Sequence, residues 1–264
     1  MSTKIQNIID ALTAKGISRE ETVDKLEFGD PDTIVTGVAT TFLATQEVIE
    51  KARELKVNLI ITHEGIFYSH WDKTRMLQSD QVYNQKRKLI EESKIGIFRY
   101  HDYIHDHKPD GIMTGLLKTL DWEKFEVKDK QIASVLEIPT MTVEEIILHL
   151  KRQLGVEHIR YIGDLKMPCS RIGLLVGYRG TGDLAINLNS KEDLELIIYG
   201  EGPEWETPEY IRDAVQQERQ KALVVLGHGE SEAPGMEYLA HWLQDQFSDI
   251  PVYFIPQKSI FQII

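Results

Sequence analysis

The sequence predicts an α/β fold, and three observations carry that prediction. Short β-branched runs alternate with amphipathic stretches of helical length along the chain. With 264 residues, 42% of them apolar, the chain is long enough for one large or two modest domains with a sizeable core. Three of the strand-like runs end in histidines and acids, where the loops of an open α/β sheet converge on a ligand.

Strand signals fall, in order, at Ile34 to Ala39, Leu59 to Thr62, Ile95 to Tyr100, Ala133 to Ile138, Arg171 to Val176, Leu194 to Tyr199, Leu223 to Leu226 and Val252 to Phe254. Between them lie helical patterns over Thr45 to Leu55, Asp80 to Glu92, Gly111 to Leu120, Val143 to Leu154, Pro208 to Gln220 and Gly235 to Phe247. Thr142 with Glu145 three positions on is a capping box for VEEIILHL. Thr207 is placed to cap a helix that Pro208 opens. The polar, aperiodic segment Asp121 to Gln131 (DWEKFEVKDKQ) marks a domain boundary, giving a first α/β domain at 1–126 and a second at 127–264.

Composition excludes several functions. A formal net charge of −12 repels nucleic acid at long range, and no basic run with interleaved aromatics offsets it. No apolar run reaches membrane-spanning length, and MSTKIQNIIDAL lacks a signal-peptide pattern. Cys169 is the only cysteine, so no intrachain disulfide forms and a reducing, cytoplasmic location is expected.

The chemistry collects at three strand ends. NLII runs into Thr62, His63 and Glu64. IGIFRY runs into HDYIHDH, with His101, Asp102, His105, Asp106 and His107. ALVVL runs into GHGESE, with His228, Glu230 and Glu232. Taken singly, THEG reads as a surface loop or cap, HDYIHDH as a solvated loop, and GHGESE as a turn into a helix whose N-terminus favours Glu232. Taken together, imidazoles and carboxylates at three strand ends suit zinc, iron, manganese or nickel, whereas calcium wants oxygen alone.

Other motifs give less. GYRGTGD (Gly177 to Asp183) lacks the P-loop form and reads as a tight turn, with a phosphate-binding nest as the alternative. Ser231 is outside any GxSxG pattern, and Cys169 lies in MPCS between elements, so neither reads as a nucleophile. Phe67, Tyr68 and Trp71 read as core or interface.

These residues resemble, in order along most of the chain, the Nif-three-like proteins, which carry a dinuclear metal centre and are often named GTP cyclohydrolase I type 2. The resemblance begins with TGVATTFLATQEVIEKARELKVNLIITHEGIF, where the family has a strand ending in two histidines. It continues with IGIFRYHDYIHDH, where the family has a histidine and an aspartate four residues on. It ends with LELIIYGEGPEWETPEYIRDA and VVLGHGESE, matching a Gly-Glu strand end and a GHxxxE metal motif. Glu64 stands at the family's second histidine and His105 at its aspartate, so three imidazoles and two carboxylates are kept but rearranged.

The resemblance implies two related α/β domains with a metal site in the cleft between them, residues from about 222 to 264 returning to that cleft. It implies His63, Glu64, His105, His228 and Glu232 as metal ligands for one or two divalent ions, and a homohexamer. A carboxylate bridges two metals while neutral imidazole binds one, so a two-ion site requires Glu64 or Glu232 as the bridge. On this reading the chain is a metal-dependent hydrolase of a nucleotide-like or phosphorylated small molecule, with Glu230 or His101 moving protons and Glu201 contacting substrate or orienting a ligand. The alternative is a non-catalytic metal-binding scaffold or metal-handling protein.

Overall fold

In the computed structural model, which describes residues 2–14 and 21–264, the β-branched runs become strands of two sheets. The chain begins with α1 (Ile5–Thr13), β1 (Lys25–Phe28), β2 (Val38–Thr41), α2 (Gln46–Glu54), β3 (Leu59–Thr62), α3 (Gln81–Ser93), β4 (Gly96–Arg99) and α4 (Asp102–Asp106). It continues through α5 (Gly111–Thr119), β5 (Glu126–Lys130), β6 (Ala133–Thr142), α6 (Val143–Leu154), β7 (Arg160–Ile162), β8 (Pro168–Leu175), α7 (Asn187–Glu192), β9 (Leu196–Tyr199), α8 (Thr207–Gln216) and β10 (Ala222–Val225). It closes with α9 (His228–Gln246) and β11 (Val252–Phe254). Met1–Gly111 with Met236–Lys258 form one unit, and Ile112–Gly235 with Ser259–Ile264 form another.

The first unit carries a sheet ordered β1-β4-β3-β2-β11, and the second a sheet ordered β5-β6-β8-β9-β10-β7. Both units follow one plan. An antiparallel edge strand (β1 or β7) is followed by three parallel strands joined by helices, and pairs with the last of the three. This is the pair of α/β units that the resemblance implies.

The central strands LIIT, GIFR and LIIY are buried throughout, as parallel strands covered on both faces must be. Their side chains form two cores, one built on Ile60, Ile97, Ile49 and Ile90, the other on Ile197, Leu175, Ile211 and Leu223. Thr45 and Asp80 cap α2 and α3 through the amides of Val48 and Tyr83, and the capping box of Thr142 and Glu145 forms as expected.

Three expectations shift. The strand signal at Ile34 to Ala39 resolves to β2, two to four residues later, because Thr40 and Thr41 bury their hydroxyls on the carbonyls of Met236 and Ile255 while Ile34 stays 53% exposed. Glu206, not Thr207, occupies the N-cap position of α8, without a side-chain capping bond; Thr207 is the first helical residue, buried, with Pro208 next. The polar segment Asp121 to Gln131 forms a short 3-10 turn and then β5, whose outward residues explain its polarity. Phe67 joins the core, whereas Tyr68 and Trp71 are exposed at 60% and 64%. No helix among the described residues is long and apolar enough to cross a membrane.

Candidate metal centre

In the first unit, neighbouring parallel strands deliver the donors. β3 ends at Thr62, so the next residues, His63 and Glu64, leave its carboxyl end; β4, in register with Thr62 opposite Arg99, delivers His101 two residues past its end. α4 then returns His105 to the same place. A donor nitrogen of each of His63, His101 and His105 lies within 4.8 Å of the others. The rings of His63 and His101 stack at 4.6 Å, and His105 meets them edge-on at 5.1 and 5.2 Å.

Each ring is oriented by an oxygen at Nδ1. His63 Nδ1 lies 3.1 Å from the Tyr100 carbonyl, His101 Nδ1 is 3.0 Å from Asp102 Oδ1, and His105 Nδ1 is 2.9 Å from Asp110 Oδ2. A carbonyl or carboxylate can only accept, so each ring carries its proton on Nδ1 and its lone pair on Nε2. That is the tautomer in which imidazole ligates a metal, with the outer hydrogen bond fixing it.

The supports are anchored in turn. Burial works to raise the Asp102 carboxyl, but hydrogen bonds from His101, Val23 N–H and Thr22 hold it well below the ordinary range. Burial lowers the His101 pKa to about 4 against the opposing pull of Asp102, so at neutral pH the ring keeps its lone pair. Asp24, from the start of the chain, accepts the amides of His101, Asp102 and Tyr103 and so pins the beginning of α4. Its own pKa is raised by burial despite those bonds.

Glu64 divides its oxygens. Oε2 accepts from Arg99 Nη2 at 3.2 Å and from the Gly65 amide at 3.2 Å, while Oε1 lies 3.6 Å from His101 Nε2. A second possible donor group, Glu64, His70 and His101, sits beside the three histidines. His107 is apart from them: its Nε2 meets the Tyr100 hydroxyl, which donates to the Leu12 carbonyl.

In the second unit, β9 and β10 occupy the places that β3 and β4 hold in the first, and their carboxyl ends also carry donors. Glu201 follows β9, and His228 opens α9 after β10. Glu201 Oε2 holds His228 Nδ1 at 2.9 Å, which leaves the His228 lone pair on Nε2, 3.1 Å from Glu232 Oε2 one helical turn on. Two lone-pair acceptors at that distance repel unless a proton or a cation lies between them, and divalent cations suit this N/O pair. Glu201 is thus the hydrogen-bond partner that sets the orientation of the His228 ring. Glu230 turns back against Gly227, at the base of α9.

The glycine loop after β8 serves these donors. A Cβ on Gly177 would meet Glu232 Oε1 at 2.1 Å and His228 Nε2 at 3.2 Å. Its amides are used inside the protein: Gly177 N–H donates to Ser231 Oγ, Gly180 N–H to the Glu201 carbonyl and Gly182 N–H to Glu206. With these three amides taken, the loop has the form of the tight turn that the sequence suggests. Ser231 is buried and donates to the His228 carbonyl, and burial pushes the Cys169 thiol up to about 12, so neither is an active nucleophile.

Asp24, Arg99, His70 and Asp110 were not visible as site residues in the sequence. Only Arg99 left a signal, as the lone charge ending the otherwise apolar IGIF run. The other three lie at irregular distances from the histidines they serve.

Two α/β units share one plan, each with imidazole and carboxylate groups at the ends of adjacent parallel strands, and the cluster in the first unit could hold a metal ion. The family model described as Duf34/NIF3 (NGG1p interacting factor 3) matches residues 3–259, and the chain belongs to that family. Relatives in Clostridium perfringens and Clostridium acetobutylicum, both named GTP cyclohydrolase 1 type 2 homolog, are each 26% identical, over 97% and 92% of this chain and 95% and 91% of theirs. Among solved structures, a Bacillus cereus protein related to NIF3 is similar at a TM-score of 0.80 and 13% identity, covering 100% of both chains. A Staphylococcus aureus hypothetical protein is similar at 0.76 and 19% identity, also over 100% of both chains.

Proposed function

We propose that the chain binds one or two divalent metal ions and uses them to hydrolyse a nucleotide-like or phosphorylated small molecule. The observation that carries this reading is the common tautomer of His63, His101 and His105, each set by an oxygen at Nδ1. Glu64 supplies one oxygen, Oε1, since Oε2 is committed to Arg99; His228 and Glu232 supply the second unit's donors. Zinc, iron, manganese or nickel held by these donors would supply Lewis acidity, lowering the pKa of a bound water toward neutrality. The role of the chain is to aim the donors: Asp102, Asp110 and Glu201 fix three rings, and Asp24 fixes the turn that presents two of them.

Elemental analysis of untreated protein, then turnover with each metal against GTP, other nucleotides and phosphoesters, tests the reading. Metal at one or two ions per chain with turnover supports it. Metal without turnover on any substrate removes the hydrolase and leaves the metal-binding scaffold. Absence of metal in every preparation removes both. The homohexamer implied by the resemblance is checked by light scattering on the same material.

A further inference from the structure

His70 belongs to the same neighbourhood, yet its chemistry is the reverse of the other three histidines. Arg99 is fully buried at the end of β4 and reaches the loop after Glu64 with both terminal nitrogens. Nη1 donates to the His70 carbonyl at 2.6 Å, and Nη2 lies 3.1 Å from His70 Nδ1 and 3.2 Å from Glu64 Oε2. Guanidinium has donors only, so His70 Nδ1 must accept. The ring's proton therefore sits on Nε2, opposite to His63, His101 and His105.

The consequence bears on the second donor group of Glu64, His70 and His101. The nitrogen of His70 that lies close to Glu64, Nδ1 at 3.7 Å from Oε2, has its lone pair directed at Arg99. A metal there would displace a buried guanidinium. The other nitrogen, as an N–H, is a donor and not a ligand. The loop is built to hold the ring in this state. A Cβ at Gly65 would lie 2.6 Å from the Ser69 carbonyl and 3.3 Å from Arg99 Nη1, so only glycine lets the chain fold back over the guanidinium. The His70 ring stands edge-on to His101 at 4.9 Å and edge-on to Trp71 at 5.0 Å, with 40% of the side chain exposed.

We infer that His70 is a substrate-binding residue, its Nε2–H donating to an anionic oxygen, phosphoryl or carboxylate, of the molecule bound beside His101. Arg99 acts as its positioning residue, fixing the tautomer and the loop, and holding Glu64 through the same nitrogen. This inference rests on the metal-centre reading for the location of the substrate, though the tautomer follows from Arg99 alone.

Three measurements on the full-length chain test it. In protein labelled with ¹⁵N-histidine, long-range proton–nitrogen spectra should show the proton of His70 on Nε2 and those of His63, His101 and His105 on Nδ1. Elemental analysis should find the metal content of His70→Ala equal to the parent, while His101→Ala loses metal. Calorimetric titration of metal-loaded protein with inorganic phosphate and with acetate should show about ten-fold weaker binding of one of them to His70→Ala, the loss of one hydrogen bond to a charged acceptor. His70→Gln, which keeps an N–H donor, should recover part of that affinity. An effect on phosphate assigns a phosphoryl oxygen, and an effect on acetate assigns a carboxylate. A His70 proton on Nδ1, loss of metal from His70→Ala, or unchanged affinity for both anions would each overturn the inference. Failure of the metal reading alone is recognised separately, as a parent without metal whose His70 still shows Nε2–H.

Discussion

At the scale of single residues, Glu64 and His105, the two positions that the resemblance singles out, are each tied to a neighbour of their own. Glu64 neutralises Arg99, which is wholly inside the protein, while His105 is fastened to Asp110. Removing one partner of a buried ion pair strands the other charge, at a cost of about 3–5 kcal/mol where both are deeply buried. Glu64 is 17% exposed, so Glu64→His should destabilise the protein by about 3 kcal/mol, read as a lower urea midpoint. His105→Asp sets a second carboxylate against Asp110 and should destabilise as well. The double variant Glu64→His with His105→Asp should therefore stay less stable than the parent, because Arg99 loses its Glu64 partner in it. A double variant as stable as the parent would show that Arg99 does not depend on Glu64.

At the scale of elements, α5 and α9 meet at two glycines. A Cβ on Gly115 would lie 2.4 Å from Gly235 Cα and 2.5 Å from the Pro234 carbonyl, so backbone meets backbone with no side chain able to yield. Gly115→Ala should cost about 1–3 kcal/mol by overpacking, although alanine favours helix elsewhere, and thermal unfolding will show the sign. α3 makes a different attachment, through Lys86. Its ammonium donates to the Ile66 carbonyl at 2.6 Å and lies over the rings of Phe67 and Tyr68, and burial lowers its pKa from 10.5 to about 8. Between pH 8 and 10.5 the unfolded chain binds this proton and the folded chain does not. Stability from this group should therefore rise with pH across that window and be level below it. Urea midpoints of the parent minus those of Lys86→Met, measured from pH 7 to 10.5, should increase with pH; a flat difference would place the ammonium in a solvated setting. The elements also show what periodicity can reveal. β3 and β11 fall where the sequence places them, and β4, β6, β8, β9 and β10 fall within a few residues, since buried apolar runs announce themselves. β1, β5 and β7 gave no signal. All three pair antiparallel to a single neighbour at a sheet edge, and their partly exposed residues carry no strand pattern. The histidines were legible because they cluster at strand ends, but their division into ligand and donor was not, since it depends on which atom faces each Nδ1.

At the scale of the molecule, two units that share no visible sequence repeat share a plan of strands and place their donors at matching strand ends. Because the donors come from separate strands of each sheet, the metal binding we propose would be a property of the folded sheets and not of any short peptide. His63 and Glu64 lie far along the chain from His101 and His105, and Glu201 far from His228, so each donor group exists only when β3 and β4, or β9 and β10, are paired. A ligand that binds only the native state stabilises it by RT ln(1 + [L]/Kd), about 2.7 kcal/mol at a free metal concentration of 100 Kd. For units of this size that corresponds to a rise in Tm on the order of 5–10 °C. Removing metal with a chelator should lower Tm by that amount, and adding it back should restore the value. His63→Ala and His228→Ala, measured with and without metal, apportion the shift between the two donor groups. Each variant should lose part or all of the metal-dependent rise while its chelated form unfolds close to the chelated parent. A chelated parent with an unchanged Tm, despite elemental analysis showing that metal has gone, would mean that these donors do not gather the ion the folded sheets assemble them for.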